Sequence, residues 1–140
     1  FLTPDEFARR RAAGEFLECF EVFGRGNWYG TLVSEVEQAT QSGRWVVLDV
    51  DVQGAAEVLK RHPDAITVFV DPGTVEELER RLRARRTETE EQIARRLERG
   101  RRDMQEMHWY RHHVVNHVAE DAAAELCAIL MRAAGERRDA

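Results

Sequence analysis

The stretch from Trp45 to Gly54 constrains the fold more than any other part of the sequence. Its first six residues, WVVLDV, are nearly all apolar and half of them are β-branched, which is typical of a strand buried in a parallel sheet. Asp49 and Asp51 come at its end and share one face, because side chains alternate along a strand. Ligands of open α/β sheets bind at the carboxyl ends of strands, so the pair indicates a ligand site. A polar strand end that caps the next helix is the alternative.

Segments with helical and strand patterns alternate along the chain, separated by turn residues. Because most connections are too long for hairpins, the pattern predicts parallel βαβ units in a three-layer α/β domain with a small strand-containing lobe. The predicted helices cover Thr3 to about Ala13, Thr31 as cap to Gly43, Gln53–Arg61, Thr74 to about Ala84, Thr89 to about Tyr110 and Asp121 to about Ala133. The predicted strands cover Glu15–Phe23, Trp28–Thr31, Trp45–Val50, Ile66–Val70 and His113–Asn116, with a turn at Gly24–Asn27.

Length and composition exclude several classes of protein. A chain of 140 residues can bury the core of one domain. No apolar run approaches the roughly 20 residues of a membrane span, and the net charge of −5 argues against general affinity for nucleic acid. Cys19 and Cys127 lack metal-ligand spacing, so we expect reduced, buried thiols in a cytoplasmic protein.

Glu18, Tyr29, Gly30 and Thr31 form the first group of candidate binding residues. A carboxylate can accept two hydrogen bonds from a planar edge of donors, and the N1–H and amino group of guanine form such an edge. The two hydroxyl groups can hold a phosphate oxygen, and glycine permits close approach of the backbone. The group would fit a guanine nucleotide, and the alternative is an ordinary strand glutamate next to a Tyr-Gly-Thr turn, both of which are common.

Carboxylates and arginines supply two further groups. The Asp49 and Asp51 carboxylates need partners if they are buried, and the waters of a magnesium ion or an arginine clamp would serve. Five arginines lie on either side of a turn, where exposed Glu/Arg pairs three or four residues apart are the alternative explanation. They are Arg81, Arg85, Arg86, Arg95 and Arg96.

Four segments taken in order resemble the guanylate kinase family: GEFLECFEVFGRGNWYGT, VVLDVDVQGA, RLRARRTETEEQIARRL and HVVNH. The resemblance covers nearly all of residues 1–133. It implies a P-loop-kinase-like parallel sheet, a β-containing GMP-binding lobe, a helical lid, and phosphorylation of GMP by ATP with Mg²⁺. The expected division of the single domain, residues 1–140, is a GMP lobe at 1–42, a core at 43–84 and 111–140, and a lid with its following helix at 85–110.

The resemblance also implies a role for each matching residue. Arg85 and Arg96 would be catalytic lid arginines, Arg81 would lie beside the adenine of ATP, and Asn116 would lie near its adenine and ribose. No residue would bind the metal directly, and Mg²⁺ would be held through water near the two aspartates. The residues expected to bind GMP are Glu18, Tyr29, Gly30, Thr31, Asp49 and Asp51.

The pattern G-x-x-x-x-G-K-[ST] of a phosphate-binding loop does not occur in the sequence, whose single lysine is Lys60 in a predicted helix. We therefore expect a truncated piece that is inactive alone, with the strand at Trp45–Val50 on a sheet edge. The full-length parent is expected to transfer the γ-phosphoryl group of ATP to GMP, giving GDP. The alternative is a catalytically dead module that binds phosphorylated protein partners, and the arginines of the lid favour the enzyme.

Overall fold

The computed structural model describes residues 1–22 and 26–136, and its backbone contacts divide the chain into two compact units, Phe1–Ala65 and Ile66–Ala140. The first unit contains α1 (Pro4–Ala12), β1 (Phe16–Val22), β2 (Asn27–Leu32), α2 (Val33–Gln41) and α3 (Val52–Arg61). The second contains β3 (Val68–Asp71), α4 (Val75–Ala84), α5 (Glu90–Gln105), a 3₁₀ turn (Met107–Trp109), β4 (His112–Val115) and α6 (Ala119–Glu136). The predicted alternation of helices and strands is confirmed. Most of the predicted turn at Gly24–Asn27 lies outside the described residues.

An antiparallel hairpin of β1 and β2 organises the first unit. On one side, the ring of Phe7 in α1 stacks on Phe16 with centroids 4.4 Å apart. On the other, Leu17 is buried with Val36 of α2 and Val58 of α3. The hairpin is therefore covered by apolar side chains at the end where β1 begins and β2 ends, which fixes the position of the residues that follow along β1.

A β-bulge at the start of β1 decides which side chains face α3. Phe16 pairs with Leu32, but Glu18 pairs with Thr31, so the register shifts by one residue between them. Without this shift, Phe16 and Glu18 would lie on the same face of the strand. The bulge instead lets Leu17 and Glu18 both turn toward the α3 side, while Phe16 packs on α1.

The second unit joins two parallel strands through a pair of helices. β3 and β4 pair with Val68 opposite His112 and Asp71 opposite Val115, and α6 covers them through Ile129. This arrangement confirms the predicted parallel connection, although the strands begin and end a residue or two away from the expected bounds. The helices α4 and α5 pack through a separate cluster made by Leu82, Ile93 and Leu97, all less than 10% exposed.

The predicted strand at Trp45–Val50 is wrong. These residues form no regular secondary structure, and the side chains of Trp45 and Val47 are 48% and 74% exposed. A strand exists only where its backbone groups pair with a neighbouring strand, and none of the described residues pairs with this segment. An apolar, β-branched run is therefore insufficient on its own, and the segment is not the edge of a sheet either.

Three local predictions also need correction. Thr31 does not cap α2, because its hydroxyl donates to Glu18 and the helix begins at Val33 without a side-chain cap. The spacing of Thr3 and Glu6 predicts a capping box, of which only half forms: the threonine caps α1, but the carboxylate of Glu6 pairs with arginines. Cys127 is exposed rather than buried.

Two further results concern the cysteines and the membrane. Cys19 is partly buried, and both thiols are free. Among the described helices, none combines the length and apolarity needed to span a bilayer.

Candidate functional site

Glu18 is a buried carboxylate whose two oxygens have different surroundings. Only 5% of the residue is exposed. Its Oε1 accepts a hydrogen bond of 2.6 Å from the hydroxyl of Thr31, which lies directly opposite on β2. Its Oε2 is excluded from solvent and has no hydrogen-bond partner among the described residues. A buried acceptor without a partner is unfavourable, so this oxygen marks a place where a donor from a ligand would be stabilised.

The backbone at the start of α3 comes close to this oxygen. A Cβ atom placed on Gly54 would lie 3.6 Å from Oε2 of Glu18 and 3.4 Å from Oδ1 of Asp51. Asp51 is the N-cap of α3, and its Oδ1 accepts a 2.7 Å hydrogen bond from the amide of Gly54. The helix-capping alternative is thus correct for Asp51.

Tyr29 lies on the same face of the hairpin as Glu18. It is paired with Phe20, two residues beyond Glu18 on β1, and the two rings stack with centroids 6.2 Å apart. The side chain of Tyr29 is 57% exposed, so its hydroxyl is accessible to a ligand. The hairpin therefore presents a buried acidic end and an exposed hydroxyl end on one surface.

Gly30 has a structural explanation. A Cβ atom at this position would lie 2.8 Å from the Cβ of Cys19 and 2.8 Å from the backbone oxygen of Glu18. Such distances are shorter than any ordinary contact, so a side chain would separate the two strands. Gly30 thus holds the pairing that places Thr31 opposite Glu18.

Asp49 lies apart from these contacts. Its side chain is exposed, and it makes no hydrogen bond or ion pair with the part of the chain that the structure describes. Of the six residues expected to bind GMP, the structure brings together Glu18, Thr31 and, through Gly54, Asp51. Tyr29 shares their face, Gly30 supports it, and Asp49 is not joined to them.

In the second unit, Arg81 is tied to Asn116. The guanidinium donates through Nε to Glu77 at 2.6 Å and through Nη2 to the backbone oxygen of Asn116. Hydrogen bonds from Arg80 and Arg81 lower the pKa of Glu77 to about 2. The structure thus joins the two residues expected to contact ATP, but this contact uses the backbone of Asn116 and leaves its amide side chain out.

The two expected lid arginines have opposite environments. Arg85 ends α4 as its C-cap, is exposed, and forms no ion pair with the described residues. Arg96 is partly buried on α5 and donates through Nη1 to Oε1 of Glu88. Arg95, by contrast, pairs with Glu91 on an exposed face, where the alternative of simple surface pairing holds.

Two buried carboxylates are outside the predicted site. Glu88 has a side chain only 10% exposed, and Asp71 is 5% exposed and accepts from Gly73 at 2.8 Å. The other oxygen of Asp71 lies 2.8 Å from Nε2 of His113. The residues around Asp71 are typical of a turn and do not indicate its contact with His113. Glu88 is eight residues from Arg96, which is farther than the three- and four-residue spacings by which helical pairs are recognised.

Comparisons with known proteins show which family the chain belongs to. The sequence model of the family described as Guanylate kinase matches residues 1–133. The chain is 46% identical over 132 residues to guanylate kinase of Rhodopirellula baltica, covering 94% of this chain and 63% of that protein. It is also 46% identical over 131 residues to guanylate kinase of Symbiobacterium thermophilum, with 94% and 61% covered.

A solved structure extends the likeness to the fold. The crystal structure of guanylate kinase from Anaplasma phagocytophilum superposes with a TM-score of 0.74 at 28% identity, covering 94% of this chain and 63% of that chain. The chain spans about three fifths of the length of these relatives. Its α/β architecture is that of a P-loop kinase-like fold. Because the family model covers all but its last seven residues, the chain belongs to the guanylate kinase family.

Proposed function

We propose that the protein transfers the γ-phosphoryl group of ATP to GMP, giving GDP and ADP. The observation that carries this proposal is the buried carboxylate of Glu18, with Oε1 held by Thr31 and Oε2 without a partner among the described residues. The membership in the guanylate kinase family supports the same reaction. The protein would work in the cytoplasm, as expected for an enzyme acting on free nucleotides.

Glu18 explains why the acceptor would be a guanine nucleotide. The N1–H and the exocyclic amine of guanine are adjacent donors, and a carboxylate can accept from both. Adenine presents an unprotonated nitrogen at the corresponding position, which would face the same carboxylate with its lone pair. A buried charge facing a lone pair is unfavourable, so AMP would bind much more weakly than GMP.

The remaining residues of the GMP lobe, residues 1–42, would bind the nucleotide around this contact. The exposed hydroxyl of Tyr29 would hold the phosphate of GMP, with Thr31 positioned between base and phosphate. Gly30 contributes through the strand pairing described above. Asp49 and Asp51 would lie beside the GMP.

The carboxylates fit a magnesium ion held through water better than one bound directly. Asp49 is exposed, and Asp51 already accepts from the amide of Gly54. Among the described residues, no three acidic, histidine or cysteine side chains come together as a metal cage. Mg²⁺ would neutralise charge on the phosphates of ATP, and Asp49 and Asp51 would hold some of its waters.

The lid, residues 85–110, would supply the positive charge that phosphoryl transfer requires. The reaction depends on positioning and on neutralising phosphate charge, and needs no nucleophile from the protein. Arg85 and Arg96 would contact the phosphates, while Arg81 and Asn116 would lie beside the adenosine of ATP. The guanidinium of Arg85 forms no ion pair with the described residues, which supports such a role, because it would not have to give up a carboxylate partner in order to bind phosphate.

The test measures formation of ADP and of the nucleoside diphosphate by the protein at its natural length, with GMP and AMP compared as acceptors. We expect transfer to GMP and a strong preference over AMP. Glu18→Gln should lower kcat/KM for GMP about 100-fold, because two hydrogen bonds to a charged group are lost, and it should leave KM for ATP unchanged. Glu57→Gln, which alters an exposed carboxylate of the same unit, is the matched control.

Two results would contradict the proposal. One is absence of transfer to GMP, whether or not the protein binds a phosphorylated peptide. The other is an equal loss of GMP and ATP use in Glu18→Gln, which would mean that Glu18 supports the fold and does not read the base.

A further inference from the structure

We propose that Glu88 is a positioning residue that orients the guanidinium of Arg96 for phosphoryl transfer. The inference rests on the proposed function, since it assigns to Glu88 a part in the same reaction. It concerns a carboxylate that makes no contact with substrate and acts only through the arginine.

The Glu88–Arg96 pair differs from the other ion pairs among the described residues of the lid in the burial of its carboxylate. The side chain of Glu88 is 10% exposed, whereas those of Glu91 and Arg95 are 74% and 72% exposed. Oε1 of Glu88 accepts from Nη1 of Arg96, and Oε2 is shielded from solvent without a hydrogen-bond partner in the described ranges. A pair on the surface is mobile and weak, but a buried carboxylate holds its partner in one place.

Helix geometry directs Arg96 toward the corner of the lid. Side chains on an α-helix tilt toward its N-terminus, so Arg96 extends back along α5 toward the residue just before the cap. The capping box of Thr89 and Gln92 fixes the start of this helix. Glu88 immediately precedes that box. The carboxylate that binds Arg96 therefore lies only three residues after the other lid arginine, Arg85.

Packing makes this arrangement rigid. Ile93 and Leu97 of α5 are buried with Leu82 of α4, and Leu97 directly follows Arg96. If Arg96 moved away from Glu88, a shielded carboxylate would lose its cation, which is strongly unfavourable. Arg96 therefore remains bound to Glu88, and its orientation is set before the phosphates arrive. Orientation set in advance lowers the barrier of a transfer reaction.

The experiment measures kcat and KM for the protein at its natural length and for the variants Glu88→Gln, Glu88→Ala and Glu91→Gln. We expect kcat to fall about 100-fold in Glu88→Ala and less in Glu88→Gln, because a poorly oriented catalytic group loses rate in this range. KM for GMP should be unchanged, because Glu88 does not contact GMP. Glu91→Gln removes the same charge from an exposed pair of the same helix, and its kcat should equal that of the parent.

A double-mutant cycle separates positioning from a structural role. If Glu88 acts through Arg96, adding Glu88→Gln to Arg96→Ala should leave kcat unchanged from that of Arg96→Ala alone. Thermal unfolding of each variant verifies that the assay temperature lies well below its Tm. If the losses in kcat of the two single variants multiply in the double variant, or if kcat increases in Glu88→Gln, the role of Glu88 is overturned while the proposed function remains intact. Absence of GMP phosphorylation by the parent would overturn both.

Discussion

The hydroxyl of Thr31 donates a 2.6 Å hydrogen bond to Oε1 of Glu18 across the β1–β2 hairpin. The two residues are thirteen positions apart in sequence and directly opposite in the strand register. This contact restrains the buried carboxylate and leaves Oε2 without a partner among the described residues. The orientation of the proposed base-reading group therefore depends on a neighbour that itself belongs to the proposed GMP site.

Replacing Thr31 tests this dependence. Thr31→Val removes the donor while keeping the shape, so Oε1 of Glu18 loses its partner and neither oxygen keeps one among the described residues. We expect a loss of about 1–3 kcal/mol in the free energy of unfolding, measured with urea, because a buried charged acceptor becomes unsatisfied. Thr31→Ser keeps the hydroxyl and should retain most of the stability. Equal stability of the valine and serine variants would contradict the importance of this hydrogen bond.

Gly30→Ala should damage the hairpin itself. The new Cβ atom would lie 2.8 Å from the Cβ of Cys19, and the backbone of Glu18 is equally close. Because neither neighbour is the end of a flexible side chain, we expect a loss of about 1–3 kcal/mol in unfolding experiments. Gly135→Ala is the opposite case: it lies in α6 with nothing within 4 Å of the new atom, so stability should rise by about 0.5–1 kcal/mol. A stable Gly30→Ala protein would contradict the close strand approach.

Arg86 has a backbone conformation that is unfavourable for its residue type. Its φ of 50° lies in the left-handed region, next to Arg85 at the end of α4. Arg86→Gly should raise the free energy of unfolding by about 1 kcal/mol, because glycine adopts this conformation without a Cβ clash. Ala84→Gly, in the last helical residue, should lower stability by about 0.5–1 kcal/mol. Destabilisation by Arg86→Gly in thermal melts would mean that the arginine side chain compensates for the strain.

The ion pairs of Glu77 make stability depend on pH. Hydrogen bonds from Arg80 and Arg81 lower the pKa of this carboxyl from 4.5 to about 2. A lowered pKa means that the folded state favours the charged form, so the contribution is complete above pH about 4.5 and disappears as the pH falls toward about 2. Urea midpoints should decrease less over this range in Glu77→Gln than in the parent. Glu76→Gln, in the same helical turn, should show the same decrease as the parent. If the urea midpoints of Glu76→Gln and Glu77→Gln changed with pH in the same way, the assignment to Glu77 would be contradicted.

Local signals explain why the helices could be predicted and one strand could not. The cap at Thr3, Pro4 at the first position and Gly14 with φ of 71° are all encoded within one turn of their effects. The segment Trp45–Val50 has the composition of a buried strand, but strand formation depends on a neighbour elsewhere in space. No property of those six residues reveals whether that neighbour is present.

The candidate site shows the same difference between contacts that local sequence encodes and contacts that depend on the folded structure. Glu18 and Thr31 could be selected from residue types and order, but their hydrogen bond depends on a register that only the folded hairpin sets. Asp51 illustrates the reverse, since its helix-capping contact with Gly54 is local and was among the alternatives that the sequence allowed. The pairing of Glu88 with Arg96 followed from neither signal, because it spans eight residues between a loop and a helix.

Because β1 has a bulge between Phe16 and Glu18, the number of residues in this part of the strand matters as much as their identity. Deleting Leu17 would remove the bulge and leave Phe16 and Glu18 on opposite faces as consecutive residues, but the side chain buried with Val36 and Val58 would be lost. Insertions and deletions near the base of this hairpin should therefore be tolerated far less than those in surface loops. A homologue that lacked this one residue would keep every side chain of the site in its sequence and still lose the packing that holds the hairpin against α2 and α3.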